Sequence, residues 1–362
     1  DTASPPRLTN VVLPGSSSGD IEFEYDSNSN LTSVTYPDTR ERHYLYELTS
    51  SQQKHLLTGI EDESEARFAT WGYDFSNRVT SSVHAGGADS YAFSYNTDGS
   101  RTVVDPLDRS VTYTTQLIAG QRRYTGSSSQ CESCGGEHES TTFDTEGNFE
   151  STTDFNGVET RYEHDVARTL ETSRTEAYGT PRERTITTEW HPTFRLPEEI
   201  NEPGRRTEFT YDSNGNVLTQ TVTDTTTSES RAWTMTYSTL GQLLTVDGPR
   251  TDVTDVTTFT YYTCTTGDEC GQLHTVTDSA NNVTTYNTYN AHGLPLSVTD
   301  PNGTSIALAY DSRQRLTSRT VAGEVTGFEY SPTGLLKKVT QPDGSFVSYG
   351  YDAAHRLTSV TD

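Results

Sequence analysis

YDSNGNVLTQTVTD, residues Tyr211 to Asp224, has near-copies elsewhere in the same chain. YDSNSNLTSVT begins at Tyr25, YDSRQRLTSRT at Tyr310 and YDAAHRLTSVTD at Tyr351. Each copy opens on an aromatic residue, continues through turn-forming residues and ends in an apolar and β-branched run. Gly and Asn in the middle supply the positive φ angles that a tight hairpin requires. The phrase therefore predicts a unit of strand, turn and strand.

Aromatic openings recur about every 23 residues and define about 15 units, which is the signature of a repeat architecture. Besides the nine tyrosines named below, units open at Tyr113, Phe143, His164, Trp190, Tyr261 and Tyr289. We predict that the following residues are the structural aromatics of the repeat: Tyr25, Tyr46, Tyr73, Tyr95, Tyr211, Tyr237, Tyr310, Tyr330 and Tyr351.

The spacing inside a unit predicts how its side chains are arranged. A large apolar residue often stands two positions before the opening aromatic, as Phe209 does before Tyr211, and a spacing of two places both on one face of a strand. An apolar residue also follows six positions later, as Val217 does. We expect Leu218→Asp or Tyr211→Gly to loosen the local pairing by a few kcal/mol, through lost burial and an unpaired charge.

A second turn follows each unit, as DPNG does at residues 300–303, and reverses the chain into the next unit. The sequence thus predicts an all-β fold in which tandem β-hairpins form a long, curled antiparallel sheet, as a spiral shell or a tube strip. Residues 1–20 are predicted to be an irregular lead-in, and residues 21–362 the repeat array. Insertions near residues 120–139 and 263–271 are expected to form loops at the sheet edge.

Composition narrows the classes of function. The chain has 51 acidic residues against 26 basic ones and a net charge of -25, which disfavours nucleic acid and anionic membrane as partners. A hydrophobic content of 30% would suggest disorder if the apolar residues were scattered, but they are phased. There is no apolar run of 18 residues and no signal peptide at Asp1, so no membrane span is predicted.

Four cysteines form two close pairs, Cys131 with Cys134 and Cys264 with Cys270. Local pairs are typical of disulfides that staple hairpins in an exported protein. Free thiols are a second interpretation. A zinc site is a third, because the first pair has the spacing of a zinc knuckle and the second pair could complete four ligands.

The sequence favours a protein that is not an enzyme. The acid that follows each opening aromatic is in phase with the repeat, whereas an active site is a single constellation; these acids are Asp26, Asp74, Asp144, Asp165, Asp212, Asp311 and Asp352. We predict that they cap turns by accepting backbone N–H bonds, with Ca²⁺ coordination as the alternative. His138, beside the first cysteine pair, is taken as part of a surface loop. We therefore predict no catalytic, cofactor-binding or metal-binding residues.

The phrases YDSNGNVLTQTVTD, YNAHGLPLSVTDPNG and YDAAHRLTSVTD resemble the YD repeats of the Rhs family, which includes teneurins and the C components of insecticidal Tc toxins. The resemblance covers nearly the whole chain. It implies a β-hairpin strip that spirals into a hollow shell with tyrosines stacked inside. Bacterial members enclose a toxic C-terminal segment, and animal members act in adhesion. The self-cleaving aspartyl protease of enclosing members is not matched, since DPNG at 300–303 stands where every unit has a turn.

Three functions follow as hypotheses. The first is a non-enzymatic scaffold, part of an Rhs-type β-shell that encapsulates a toxin or other polypeptide. The second is an extracellular structural filament, tube or adhesin, which associates with its own copies or with neighbouring repeats of a longer chain. The third is a carbohydrate-binding cell-surface module, for which Trp71→Ala or Tyr124→Ala would abolish glycan binding. All three predict an exported protein, extracellular or at the cell surface.

Overall fold

The computed structural model describes residues 6–15, 20–129 and 138–362. In these ranges the chain forms 31 strands, which belong to one sheet, and a single short 3-10 turn at Ala85–Gly87. Every strand pair given for the described residues is antiparallel and joins consecutive strands, as in β2 (Ile21–Tyr25) with β3 (Leu31–Thr35). The predicted all-β class of tandem antiparallel hairpins is confirmed. No helix in the described part of the chain is long and apolar enough to cross a membrane.

Two compact units divide the chain. The first comprises Asp1–Ala92, Thr260–Val276 and Val283–Asp362, and the second comprises Phe93–Phe259 and Thr277–Asn282. The remaining strands of the first unit are β1 (Asn10–Val11), β4 (Glu41–Leu45), β5 (Gly59–Glu61), β6 (Arg67–Tyr73), β7 (Val79–His84), β24 (Val283–Tyr289), β25 (Pro295–Thr299), β26 (Ser305–Tyr310), β27 (Leu316–Val321), β28 (Glu324–Tyr330), β29 (Leu336–Thr340), β30 (Phe346–Tyr351) and β31 (Leu357–Thr361).

The second unit contains the central strands. They are β9 (Arg101–Val104), β10 (Ser110–Ile118), β11 (Gln121–Ser127), β12 (Ser140–Phe143), β13 (Phe149–Thr153), β14 (Glu159–Asp165), β15 (Leu170–Glu176), β16 (Arg184–Trp190), β17 (Pro197–Glu202), β18 (Arg205–Tyr211), β19 (Val217–Asp224), β20 (Ser230–Tyr237) and β21 (Leu243–Asp247). The residues of β8 (Ala88–Tyr95), β22 (Val256–Tyr261) and β23 (Leu273–Thr277) are shared between the two units.

Both turns of a unit have the same backbone chemistry. In the first, the Gly215 N–H donates to Asp212 O at 3.1 Å, and Gly215 has a φ of 86°. In the reversing turn, the Gly303 N–H donates to Asp300 O at 3.0 Å, and Gly303 has a φ of 80°. A residue with positive φ after a type I turn matches the twist of antiparallel strands, and Gly adopts it without a steric cost. The predicted turns at both ends of the unit are confirmed.

In most units a β-bulge follows the first turn, the one inside the hairpin, and not the reversing turn. Tyr211 is paired with Val217, whereas Thr210 is paired with Thr219, so that Leu218 is the extra residue of the bulge. The same shift precedes Tyr25, Tyr73, Phe143, His164, Trp190, Tyr237, Tyr289, Tyr310, Tyr330 and Tyr351. Bulges bend a strand and increase its twist. Leu218 is 37% exposed, which contradicts the assumption that it is well buried, and we therefore expect Leu218→Asp to cost less than a few kcal/mol.

The aromatic face of the sheet carries a hydrogen bond that the sequence did not reveal. The Tyr211 hydroxyl donates at 2.6 Å to Pro197 O, at the first residue of the preceding β17. The same bond to the preceding hairpin is made by Tyr73, Tyr289, Tyr310, Tyr330 and Tyr351, and Trp190 uses its indole N–H in the same way. Tyrosine suits these positions of the repeat better than phenylalanine does. Its ring packs on the sheet, while its hydroxyl donates a hydrogen bond to a backbone carbonyl of the preceding hairpin.

We expect Tyr211→Phe to lower the free energy of unfolding by about 1 kcal/mol, since it leaves a part-buried carbonyl without its donor. Tyr237→Phe is the matched control, because the structure gives the Tyr237 hydroxyl no hydrogen bond to a described residue. Urea unfolding of the two variants measures the difference. Equal stability of the two would show that the hydroxyl contributes nothing.

The opposite face explains the abundance of threonine. Threonine hydroxyls meet across neighbouring strands, with Thr210 to Thr219 at 2.7 Å and Thr236 to Thr245 at 2.6 Å. β-Branched side chains suit a pleated surface, and paired hydroxyls stabilise adjacent strands where the surface faces water. Each strand therefore alternates between an aromatic face and a hydroxyl face.

The predicted unit opening at Tyr113 is wrong. Tyr113 lies inside β10, which continues to Ile118, and the chain turns at Ala119 and Gly120, whose φ angles are 47° and 76°. The sequence after Tyr113, TTQLIA, lacks the Asp and Gly that form the other turns, and β-branched residues extend the strand instead. The result is a hairpin longer than its neighbours.

The insertion at residues 263–271 replaces the usual turn of its hairpin. The loop is closed by the Tyr262 N–H, which donates to Gln272 O at 3.0 Å, and by a disulfide between Cys264 and Cys270. Bonded to each other, these two sulfurs leave no thiolate there to bind zinc. Cys131 and Cys134 lie outside the described residues, as does most of the loop that contains them.

We expect Cys264 and Cys270 to resist alkylation until the protein is reduced. The double variant Cys264→Ser/Cys270→Ser is expected to lose about 2 kcal/mol, because the bond closes only a short loop and the unfolded chain gains little entropy. Alkylation followed by peptide mass spectrometry tests the first point and thermal unfolding the second. Labelling of both cysteines without reductant would contradict the disulfide.

Candidate functional site

Distant parts of the chain meet inside the first unit at a surface that we call the seam. Its N-terminal side consists of Tyr36, Asp38, Asp62, Glu63 and Phe68. Its C-terminal side consists of Arg313, Arg315 and His355. The bond between Asp62 and His355 joins residues 293 positions apart. The two sides of the seam come from hairpins that are not neighbours along the chain, so the seam is not a product of the local repeat.

Arg313 is the centre of the seam. Its Nε atom lies 3.0 Å from Asp38 Oδ1, and its Nη2 atom lies 3.6 Å from Glu63 Oε1. Its guanidinium carbon is 3.9 Å from the centre of the Tyr36 ring. The Arg313 side chain is 12% exposed and that of Glu63 only 3%. Buried charges persist only where they are paired, so these contacts depend on one another.

The ion pairs of Arg313 are electrostatic rather than directional. Although the distances are short, Nε and Nη2 lack hydrogen-bond geometry toward any acceptor, whereas Nη1 donates to Pro332 O at 3.1 Å. Arg42 shares Glu63, at 3.1 Å. Burial opposes the charge on Arg42, but Glu63 outweighs it and raises the pKa of Arg42. For Tyr36, in contrast, burial itself raises the pKa.

A second contact of the seam is built around His355. Its Nε2 atom is 2.8 Å from Asp62 Oδ2, and its ring stacks on Phe68 with centroids 4.4 Å apart. Phe68 stacks in turn on His84 at 4.8 Å. Asp62 has two tasks, because its Oδ1 also accepts the Ser64 N–H at 2.9 Å in its own turn. One carboxylate therefore holds a turn and the seam together.

Unusual backbone angles accompany these contacts. His355 and Gln314 occupy the turn position that Gly215 holds in its unit, and their φ angles are 64° and 62°. A left-handed conformation costs a residue other than Gly about 1 kcal/mol or more. Side-chain hydrogen bonds offset this cost. His355 binds Asp62, and Gln314 accepts a hydrogen bond from the Asn290 amide at 2.8 Å. The lack of Gly in DSRQR and DAAHR does not by itself identify the seam, because turns elsewhere also lack Gly, as that of Asn281 does.

We expect His355→Gly to destabilise the first unit by about 2 kcal/mol, since the lost ring stacking and buried hydrogen bond exceed the relief of the backbone. Asn281→Gly is the matched control, because Asn281 has the same φ, 64°, but is exposed. The control is expected to be neutral or slightly stabilising. Thermal unfolding measures both, and stabilisation by His355→Gly would remove His355 from the seam.

A cavity of about 400 Å³ adjoins the seam. Leu13, Ile21 and Pro37 give it apolar walls, while Glu63 and Arg313 stand at its polar side. The cavity lies where the two sides of the seam do not fully interdigitate.

The predicted structural aromatics follow the sheet and do not converge on one site. Most of them end the first strand of a hairpin, as Tyr25, Tyr73, Tyr211, Tyr237, Tyr310, Tyr330 and Tyr351 do. Tyr95 also ends its strand, β8, and Tyr46 lies one residue beyond β4. Their role remains a prediction that the variants above test.

The repeated aspartates cap turns as predicted. Asp212 Oδ1 accepts the N–H groups of Asn214 and Asn216 at 2.8 and 2.9 Å, while Oδ2 accepts the Asn216 amide at 2.8 Å. These bonds lower the pKa of Asp212, the Asn216 side chain contributing most. In other turns an arginine replaces this asparagine, as Arg315 does for Asp311 at 2.7 Å. Asn or Arg four residues after Asp is a recurrent sequence signal that the predicted unit did not include.

Carboxylates engaged in this way are not arranged to hold a cation, because both oxygens already accept N–H bonds. Among the described residues, no group of three His, Cys, Asp or Glu side chains is placed to bind a metal ion. The seam and the turns fix hairpins to each other.

The geometry defines a class, a β-hairpin repeat protein whose units are joined by tyrosine hydroxyls and whose turns are capped by aspartate. The RHS repeat family model matches residues 268–304, 289–326 and 330–362. Residues 268–326 and 330–362 therefore carry RHS repeats. A comparison with curated proteins found no match.

Solved structures share the fold. A crystal structure of TcdB2-TccC3-Cdc42 aligns with 94% of this chain at a TM-score of 0.70 and 16% identity, and one of TcdB2-TccC3-TEV gives the same values. The Photorhabdus luminescens Tc holotoxin pore, with a mutated TccC3, aligns at a TM-score of 0.63 and 15% identity. This chain spans only 19% of the length of each of these chains.

Proposed function

We propose that this chain is a non-enzymatic scaffold, a segment of an Rhs-type β-shell that encloses a polypeptide cargo, and that it works outside the producing cell. The RHS repeats at residues 268–326 and 330–362, and the fold shared with solved structures, support the scaffold. The enclosure rests on the resemblance to Rhs proteins, whose bacterial members surround a toxic segment.

The observation that carries the proposal is the seam. A filament or stalk that extends by adding hairpins has no need for its distant hairpins to touch. In the first unit they touch through buried charges, with Arg313 against Asp38 and His355 against Asp62. A strip that returns to itself and is fastened there is what an enclosing wall requires.

The free energy that it costs to form the seam also supports an enclosing role. His355, with its left-handed backbone, and several desolvated charges are retained at the seam, where an apolar contact would be easier to stabilise. Ion pairs of this kind fix which hairpin meets which, and that specification is needed in a chain of near-identical repeats. A free hairpin array has no such requirement.

Cryo-electron microscopy of the protein at its natural length tests the function. We expect discrete hollow particles with additional density inside, and an internal segment that resists protease. Arg313→Ala should open the seam and expose that segment, whereas the surface variant Arg250→Ala should not. Filaments with continuous repeats, or particles without protected polypeptide, would overturn the enclosing role and favour a structural polymer.

A further inference from the structure

The second unit contains a cavity at a hairpin that departs from the repeat. Because β10 runs past Tyr113 to Ile118, Thr115 is paired with Tyr124 on β11 after a register shift at Thr114 and Thr115. Positions at which a regular sequence breaks its own pattern are where functional sites are expected. The cavity lies at this irregular hairpin.

Four aromatic rings line this cavity, those of Phe93, Tyr95, Tyr113 and Tyr124, and its volume is about 390 Å³. The centroids of the Tyr113 and Tyr124 rings are 5.9 Å apart and the rings are inclined at 54°, so the two rings pack against each other in one wall of the cavity. The Tyr124 hydroxyl is fixed by His138 O at 2.7 Å. Cavities of a few hundred Å³ with apolar walls and a few polar groups are typical of small-molecule sites.

The polar side of the cavity is basic, although the chain carries a net charge of -25. Arg101 lines it, directly opposite Tyr113 in the β9–β10 register, with its guanidinium carbon 5.9 Å from the Tyr95 ring. The structure gives Arg101 no ion pair with any described carboxylate. Next to it, Arg122 Nη1 donates to the Thr115 hydroxyl at 3.1 Å, and Thr115 is part of the lining.

The chemistry of these groups selects a ligand class. An aromatic cage alone would favour a cation, but Arg101 repels one. A guanidinium without an ion-pair partner instead favours a carboxylate, which it can bind through two parallel hydrogen bonds. The aromatic faces favour a ring with flat apolar C–H surfaces, and the Thr115 hydroxyl favours a ligand with hydroxyl groups. A sugar that carries a carboxylate satisfies all three.

We propose that the cavity formed by Phe93, Tyr95, Tyr113, Tyr124, Arg101 and Thr115 binds an acidic carbohydrate of the uronic acid type. The pyranose ring stacks on the aromatic wall that these residues form, and its carboxylate pairs with Arg101. This site is separate from the seam, and it does not depend on the proposed enclosure of a cargo.

Calorimetric titration of the full chain with a galacturonic acid tetramer, and with a neutral galactose tetramer, tests the site. We expect saturable binding of the acidic tetramer and at least tenfold weaker binding of the neutral one. Arg101→Leu should reduce the affinity for the acidic tetramer ten- to hundredfold, to the level of the neutral one, because it removes a charged hydrogen bond. Arg161→Leu is the matched control, since Arg161 also lies over a tyrosine, at 3.6 Å, but is paired with Glu159 outside the cavity.

Tyr124→Ala should abolish binding of both tetramers, whereas Tyr124→Phe should keep it, because the ring remains. Circular dichroism of each variant separates a lost site from a lost fold. Absence of saturable binding in the parent chain would overturn the proposal. Equal affinity for the two tetramers, or an unchanged affinity in Arg101→Leu, would overturn the acidic class of ligand.

Discussion

Arg313→Ala is expected to destabilise the first unit by about 3 kcal/mol, the largest effect of any single substitution that we predict. The substitution leaves Glu63, whose side chain is 3% exposed, with Arg42 alone, and it removes the partner of Asp38. It also removes the guanidinium that covers the Tyr36 ring. Breaking one side of a buried ion pair costs far more than the pair contributes, because the remaining charge stays desolvated.

Denaturant unfolding measures the loss, and hydrogen exchange locates it. We expect faster exchange on both sides of the seam, near Tyr36 and near Ser312, with no change in the second unit. Arg250→Ala is the control, because the pair of Arg250 with Asp252 is well exposed and should contribute less than about 1 kcal/mol. An Arg313→Ala variant as stable as this control would mean that the seam does not hold the unit together.

Acid should destabilise the whole array. The pKa values of thirteen aspartates lie below the ordinary value of 3.8, those of Asp26, Asp74, Asp98, Asp105, Asp144, Asp154, Asp212, Asp224, Asp252, Asp278, Asp300, Asp343 and Asp352. A group whose pKa is lower in the folded state adds stability above its unfolded pKa and loses it as the pH falls through the folded pKa. The loss therefore begins near pH 4 and continues below it.

At higher pH, a decrease in charge repulsion opposes this loss of stability. Between neutrality and the isoelectric point near 4.6, protonation reduces a net charge of -25, and repulsion within the sheet decreases. We expect the melting temperature to be level or to rise slightly from pH 7 to pH 5 and to fall steeply below pH 4. Asp212→Asn keeps a hydrogen-bond acceptor but cannot titrate. The melting temperature of this variant should therefore fall less steeply below pH 4 than that of the parent chain. A melting temperature that stays constant down to pH 3 would contradict the capping role of the aspartates.

The sequence alone predicted the hairpin unit because everything that forms it lies within a few residues. Gly215 provides the positive φ, Asp212 caps the turn, and Phe209 and Tyr211 share a strand face with their rings 6.4 Å apart. Where these local signals were missing, the prediction was wrong, as at Tyr113. The bulge at Leu218 was also missed, because alternation of apolar residues does not show where one residue is left out of the register.

Only the tertiary structure placed Arg313 beside Asp38, His355 beside Asp62, and Tyr124 beside Tyr113. The register of each hairpin follows from its own turn, but the position of a residue nearly 300 positions away depends on the small rotation that every strand pair adds. No local sequence pattern specifies the accumulated rotation. The sequence therefore determined what each repeat is, and the packing between repeats decided which side chains meet in the seam and in the aromatic cavity.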